Sequence, residues 1–223
     1  MSQRSTGLDT RTHPGGWDAL VRHYDACLKQ HGATPRGADW PNGADLAARF
    51  GVMLTLLRRA GDRPSLLDLG CGPGLLLDYL AATQRLDEVR YRGIDLSSAM
   101  LDAARARWPH HEFTCRDIVK APLPEQSVDV VIMNVVLTER VGLSAEATTA
   151  LAQSLVSAAF RSARVGIALN VMNAHVDLQR DDATSSRSIV VSRWAMACAR
   201  RIFASRRFGL LEDSDGRCAL MAP

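Results

Sequence analysis

Long apolar runs are missing from this chain. No stretch approaches the roughly 18 residues that a membrane-spanning helix needs, so membrane association is not expected. Cysteine is sparse and scattered: Cys27, Cys71, Cys115, Cys198 and Cys218 form an odd set with wide spacing and no CxxC pair. That pattern argues against a disulfide framework and against a zinc site, so no metal is expected and a reducing cytoplasm fits. Aromatic residues are only 5% of the chain, and neither sign of charge dominates, the formal net charge being +3. Arg200, Arg201, Arg206 and Arg207 form the one basic cluster. It reads as a solvated helix face, so nucleic acid is not expected as a partner. No Ser/His/Asp order, internal repeat or low-complexity segment is found. Residues 1–16 are polar and carry Arg4, Asp9 and Arg11 where a secretory signal would be apolar, and are expected to form a flexible tail.

What is present is a chain of 223 residues, 47% hydrophobic, enough for one domain with a small cap. Residues 17–31 place Trp17, Leu20, Val21, Tyr24, Cys27 and Leu28 at helical spacing, with Gly32 as a stop. The Gly- and Pro-rich GATPRGADWPNG is a loop. Asn42, followed by Asp45, can start a second helix with Leu46, Phe50, Met53, Leu54 and Leu57 on one face. Together, residues 17–62 are expected to be a helical N-terminal cap. After Pro64 the rhythm changes: SLLDL, YRGIDL, HEFTC, VDVVIMNVV and RVGIALNVM are strand-like and are separated mostly by helical segments. Such alternation predicts an α/β, Rossmann-like, doubly wound core over 63–223, with helices on both faces of a mostly parallel seven-stranded sheet. The C-terminal part supplies a helix, a strand near 207–212, an Asp215-Gly216 turn and a last strand near 217–221.

In such a sheet the loop after the first strand lies at the switch point where ligands bind. Here that loop follows LLDL and reads Gly70-Cys71-Gly72-Pro73-Gly74. Glycines there allow close backbone approach to a ligand. Asp95, ending the second strand, can accept hydrogen bonds from a ribose diol. Nicotinamide cofactors and S-adenosylmethionine remain rivals at this point. Three details favour the second: the glycines run GxGxG rather than GxGxxG, Asp68 lies within the first strand, and Asp117 follows the third. An acid in the first strand suits the ammonium of an amino-acid tail and is adverse beside a pyrophosphate.

LLDLGCGPG, GIDLSSAM, CRDI and SVDVVIMN, in that order, resemble the motifs of class I S-adenosylmethionine-dependent methyltransferases over roughly residues 60–172. The resemblance implies that Asp68 orients the methionine moiety and that Gly70, Cys71, Gly72 and Gly74 line the cofactor loop. It further implies that Asp95 binds the ribose hydroxyls beside Leu96, that Asp117 accepts the adenine amino group beside Ile118, and that Asn134 faces the methyl group and substrate. The segment HGATPRGADW with ARF is similar to the N-terminal region of small bacterial methyltransferases of unassigned substrate, which folds over the cofactor. On physical grounds Tyr24 can sit at the cofactor's carboxylate end, Trp40 can cover the site, and Arg36 or Arg49 can pair with a carboxylate through its bidentate fork. Tyr24 also lies on the apolar helix face, however, and Arg49 also neighbours Asp45 one turn earlier.

The sulfonium is already a strong methyl donor, so such an enzyme chiefly positions a nucleophile and excludes water. Candidate catalytic residues are His23, Asn134, Glu139 and His175. NVVL after the fourth strand differs from the Asn-Pro-Pro-aromatic type, which disfavours base amino groups as acceptors. The expected activity is methyl transfer from S-adenosylmethionine to a small-molecule metabolite by a cytoplasmic monomer or homodimer. An RNA or protein methyltransferase and a non-catalytic cofactor-binding protein are the alternatives.

Overall fold

The computed structural model describes residues 17–134, 136 and 145–169, and the backbone of 209–212 and 218–221; for 145–149 only the backbone is described. Two helices come first, α1 (Trp17–His31) and α2 (Gly43–Met53), joined through a 3-10 turn at Arg36–Ala38. Asn42 caps α2 as expected, its side chain accepting from the N–H groups of Ala44 and Asp45. A 3-10 helix at Leu54–Arg59 takes up what the sequence read as the end of α2.

The alternating part then runs β1 (Ser65–Leu69), α3 (Leu75–Ala82), β2 (Arg90–Asp95), α4 (Ser98–Arg107), β3 (Glu112–Cys115), β4 (Val128–Met133), α5 (Ala145–Ser162) and β5 (Ala163–Leu169). Two short strands follow, β6 (Gly209–Glu212) and β7 (Cys218–Met221). The sheet order is β3-β2-β1-β4-β5-β7-β6. The sheet has seven strands, of which five are parallel and two are not. β7 pairs antiparallel with β5, and β6 pairs antiparallel with β7, since two strands five residues apart lack the length for a parallel crossover.

Strand periodicity sorts the core onto two faces. Leu66, Val130, Ile132 and Ala168 join one cluster, with Leu76, Leu77 and Leu80 of α3 and Leu46, Phe50 and Met53 of α2. Leu67, Leu69, Val131, Met133, Ile167 and Leu169 join the other, with Leu155 and Ala159 of α5 and Trp17 of α1. The cap helices thus share both hydrophobic clusters with the sheet. Parallel strands covered on both faces bring their carboxyl ends, and the loops after them, to one open edge.

Candidate functional site

The three loop glycines all have positive φ, at 77° for Gly70, 51° for Gly72 and 85° for Gly74, yet their surroundings differ. A Cβ on Gly70 would lie 2.3 Å from Val136 Cγ2, and one on Gly74 would meet the Trp108 ring at 3.0 Å. Around Gly72 a Cβ would meet nothing within 4 Å. Gly70 and Gly74 are therefore required by packing, while Gly72 borders open space. The backbone turn is held by Ile94, whose carbonyl accepts from Gly70 N at 2.7 Å and Cys71 N at 3.1 Å.

Asp95 fastens the same loop from the next strand. Its Oδ2 accepts from Gly72 N at 2.8 Å and its Oδ1 from Ser97 N at 2.9 Å. Burial raises its carboxyl above the ordinary carboxylate range, against the opposing pull of those N–H groups, and the charge of Asp25 adds to the rise. Asp68 is 3% exposed and receives the Tyr91 hydroxyl at 2.9 Å. Desolvation pushes its carboxyl up to about 7; the Tyr91 hydrogen bond opposes the shift and the nearby Asp95 charge adds to it.

Two acceptors are left open. Asp117 takes the Val119 N–H on Oδ1 at 2.9 Å, but its Oδ2 is buried with no hydrogen-bond partner, Lys120 Nζ standing 3.9 Å away. Asn134 follows β4, is 7% exposed, and its Oδ1 is likewise buried and without a hydrogen-bond partner. Buried polar atoms in folded proteins nearly always find a partner, so two orphan acceptors on one cleft mark places for ligand donors.

One cleft of about 1040 Å³, its open mouth included, gathers these groups. Asp68, Gly70, Cys71, Gly72, Asp95, Leu96, Asp117, Ile118 and Asn134 all line it, and Tyr24 and Trp40 come from the cap. Trp17, Leu20, Leu46 and Phe50 also line it. Periodicity marks them only as apolar faces of helices, because nothing local distinguishes a core position from a cleft wall.

Other sequence candidates are placed elsewhere. Gly74 is not part of the lining; it starts α3 and packs on Trp108. Arg49 is also outside it, with Nε 2.8 Å from Asp45 Oδ2 and its guanidinium 4.8 Å above the Trp40 ring. The i,i+4 neighbour takes the guanidinium, and Trp40, whose Nε1 also donates to Asp45 at 3.1 Å, is the residue presented to the cleft. His23 does not line the cleft: its Nε2 lies 2.9 Å from Asp39 Oδ2, and its ring meets Tyr24 edge-on at 5.3 Å. Facing Asp39, it is not placed to take a proton from an acceptor. With Cys27 it also forms something sequence spacing did not indicate, since the donor atoms of His23, Cys27 and Asp39 lie within 4.8 Å of one another, close enough to share a metal ion. Glu139 and His175 lie outside the described residues.

A family model described as a methyltransferase domain matches residues 66–158. Residues 66–158 are a class I S-adenosylmethionine-dependent methyltransferase domain. Among curated proteins, the trans-aconitate 2-methyltransferase of Paracidovorax citrulli is 45% identical over 69 residues, 30% of this chain and 26% of that protein. The malonyl-[acyl-carrier protein] O-methyltransferase of Serratia marcescens is 36% identical over 72 residues, 32% of this chain and 27% of that protein. The chain thus covers about a quarter of the length of these two relatives. A methyltransferase structure from Aquifex aeolicus shares the fold with a TM-score of 0.53 at 19% identity, over 81% of this chain and 93% of that one. Geranyl diphosphate C-methyltransferase from Streptomyces coelicolor does so with 0.57 at 15%, over 92% and 85%.

S-adenosylmethionine is the cofactor of this methyltransferase domain. The residues present fit it. The open space beside Gly72, the orphan acceptors of Asp117 and Asn134, and the acids at the ends of β1 and β2 offer both room and hydrogen-bond acceptors to a ligand rich in N–H and O–H donors.

Proposed function

We propose that the protein transfers the methyl group of S-adenosylmethionine to a small-molecule acceptor. The observation that carries this reading is the pair of buried acceptors without a hydrogen-bond partner, Asp117 Oδ2 and Asn134 Oδ1, on residues that line one cleft with the acids of β1 and β2. In it, Asp117 Oδ2 accepts the adenine amino group and Leu96 and Ile118 flank the ring. Asp95 accepts the ribose hydroxyls while keeping its hold on Gly72. Asp68, ionised in the complex, faces the ammonium of the methionine tail, directly or through water.

When bound, the cofactor supplies a methyl group already activated by the sulfonium, so the chain's residues need chiefly to position and to dry the site. Asn134 Oδ1 accepts a hydrogen from the nucleophilic group of the acceptor and so aims that group's lone pair. Tyr24, Trp40 and Phe50 keep water from the cleft and suit an acceptor with an apolar body. The small-molecule class is supported by the relatives named for trans-aconitate. A cytoplasmic setting suits Cys27, Cys71 and Cys115, none of which is in a disulfide.

The test combines binding and turnover. S-adenosylmethionine and S-adenosylhomocysteine are expected to raise Tm by mass action, and NAD to leave it unchanged. Label from methyl-labelled cofactor is expected to appear in a small-molecule fraction of an extract. A Tm shift with NAD alone overturns the cofactor reading. Label only in RNA or protein overturns the acceptor class, and binding with no labelled product in any fraction leaves a non-catalytic cofactor-binding protein.

A further inference from the structure

The N-terminal helix is tied to the cofactor half of the cleft through one side chain that sequence patterning does not single out. Asp25 of α1, part-buried, accepts the Ser97 hydroxyl on Oδ1 at 2.5 Å across 72 residues of sequence. The Ser97 hydroxyl in turn accepts from Met100 N at 3.0 Å, capping α4. Ser97 N–H donates to Asp95 Oδ1, and Asp95 Oδ2 receives Gly72 N–H. A continuous hydrogen-bonded chain therefore runs from the cap to the glycine loop. On the neighbouring turns of α1, Leu20, Val21 and Tyr24 form part of the cleft wall.

We propose that Asp25 is a positioning residue for cofactor binding: by accepting the Ser97 hydroxyl it locks α1 against the N-terminus of α4, so that the cap wall and the ribose-binding acid behave as one unit. The inference rests on the reading of Asp95 given above. A charged acceptor makes a stronger hydrogen bond than a neutral one, but a neutral acceptor of the same shape still keeps the link. Asp25→Asn therefore preserves the lock while removing a negative charge from the neighbourhood of Asp95. Asp25→Ala removes the lock.

The full-length protein, titrated calorimetrically with S-adenosylhomocysteine, tests this. Asp25→Ala is expected to weaken binding about ten-fold or more, the scale of losing one hydrogen bond to a charged group. Asp25→Asn is expected to stay within about three-fold of wild type. Hydrogen exchange gives a readout that a merely structural role would not move: amides of residues 17–31 gain protection on cofactor binding in wild type and in Asp25→Asn, but not in Asp25→Ala. Ser97→Ala removes the link from the other partner together with the α4 cap, so the double variant with Asp25→Ala is expected to be no worse than Ser97→Ala alone. If Asp25→Ala does not fold, Ser97→Ala with the exchange measurement decides. Wild-type binding matched by Asp25→Ala, equal losses in Asp25→Ala and Asp25→Asn, or additive losses in the double variant each overturn the lock. Failure of wild type itself to bind overturns the cofactor reading beneath it.

Discussion

Asp68 shows how a single residue can join strand and core and, in the function proposed above, a ligand. It sits in β1 between Leu67 and Leu69, so strand geometry turns it away from both, and it is buried beside the Tyr91 hydroxyl. With its carboxyl at about 7 against 3.8 ordinarily, the folded protein keeps a proton that the unfolded chain releases. Stability of the unliganded protein is therefore expected to fall as pH climbs from about 4 to 7 and to level off above, because the native state binds more protons across that window. Binding of an ammonium requires the ionised form, so affinity for S-adenosylhomocysteine is expected to weaken below pH 7 by up to about ten-fold per unit. Asp68→Asn should flatten both profiles; Tm and calorimetry between pH 5 and 8 check it, and unchanged profiles remove Asp68 from both roles. Gly72 is the complementary case. Its open surroundings leave room for a side chain, but at φ 51° a valine is strained by about 1–2 kcal/mol and its methyls enter the cleft. Gly72→Val is expected to lose S-adenosylhomocysteine binding with only that cost in urea stability, and normal binding would make the loop a turn and nothing more.

At the scale of elements, the loop is held in place less by its own glycines than by what stands behind it. Gly93, in the middle of β2, has no side chain because the space is taken. A Cβ there would lie 2.7 Å from Phe113 Cδ1 and 2.8 Å from Cys71 Sγ. Phe113 is fixed in β3 by the register that pairs it with Gly93, so neither neighbour can retreat far. Gly93→Ala is expected to cost about 1–3 kcal/mol in unfolding and to weaken cofactor binding by displacing Cys71. Parent-like stability in chemical denaturation would show that the loop yields freely. Trp40 illustrates the same dependence in the cap, since Asp45 and Arg49 of α2 clamp a tryptophan that precedes the helix. Neither residue need touch a ligand to shape the wall that one meets.

At the scale of the whole molecule, cap and core share their hydrophobic clusters and are expected to unfold together. Phe50 of α2 is 5% exposed and shares a cluster with Leu76, Leu80 and Val130. Phe50→Ala is expected to cost about 3–5 kcal/mol in a single urea transition, whereas a separate early transition would make the cap an independent unit. The sequence by itself determined the alternation of strands and helices, the Asn42 and Ser97 caps, the GxGxG loop and the succession of acids. These are local properties, written in periodicity and turn chemistry within a few residues. Hence Asp68, Asp95 and Asp117 are legible in the sequence as ligand-facing candidates, and Asn134 through the resemblance of SVDVVIMN to the family's motif; all four line the cleft. Only the tertiary structure decided that Gly74 packs on Trp108, that His23 turns to Asp39, and that Tyr91 and Asp25 stand behind Asp68 and Asp95. The physical reason is that a side chain's partner is chosen by distance in space. Burial makes each polar atom find a partner or wait for a ligand, and contacts spanning 23 residues for Asp68 with Tyr91, or 72 for Asp25 with Ser97, leave no periodic trace in the chain.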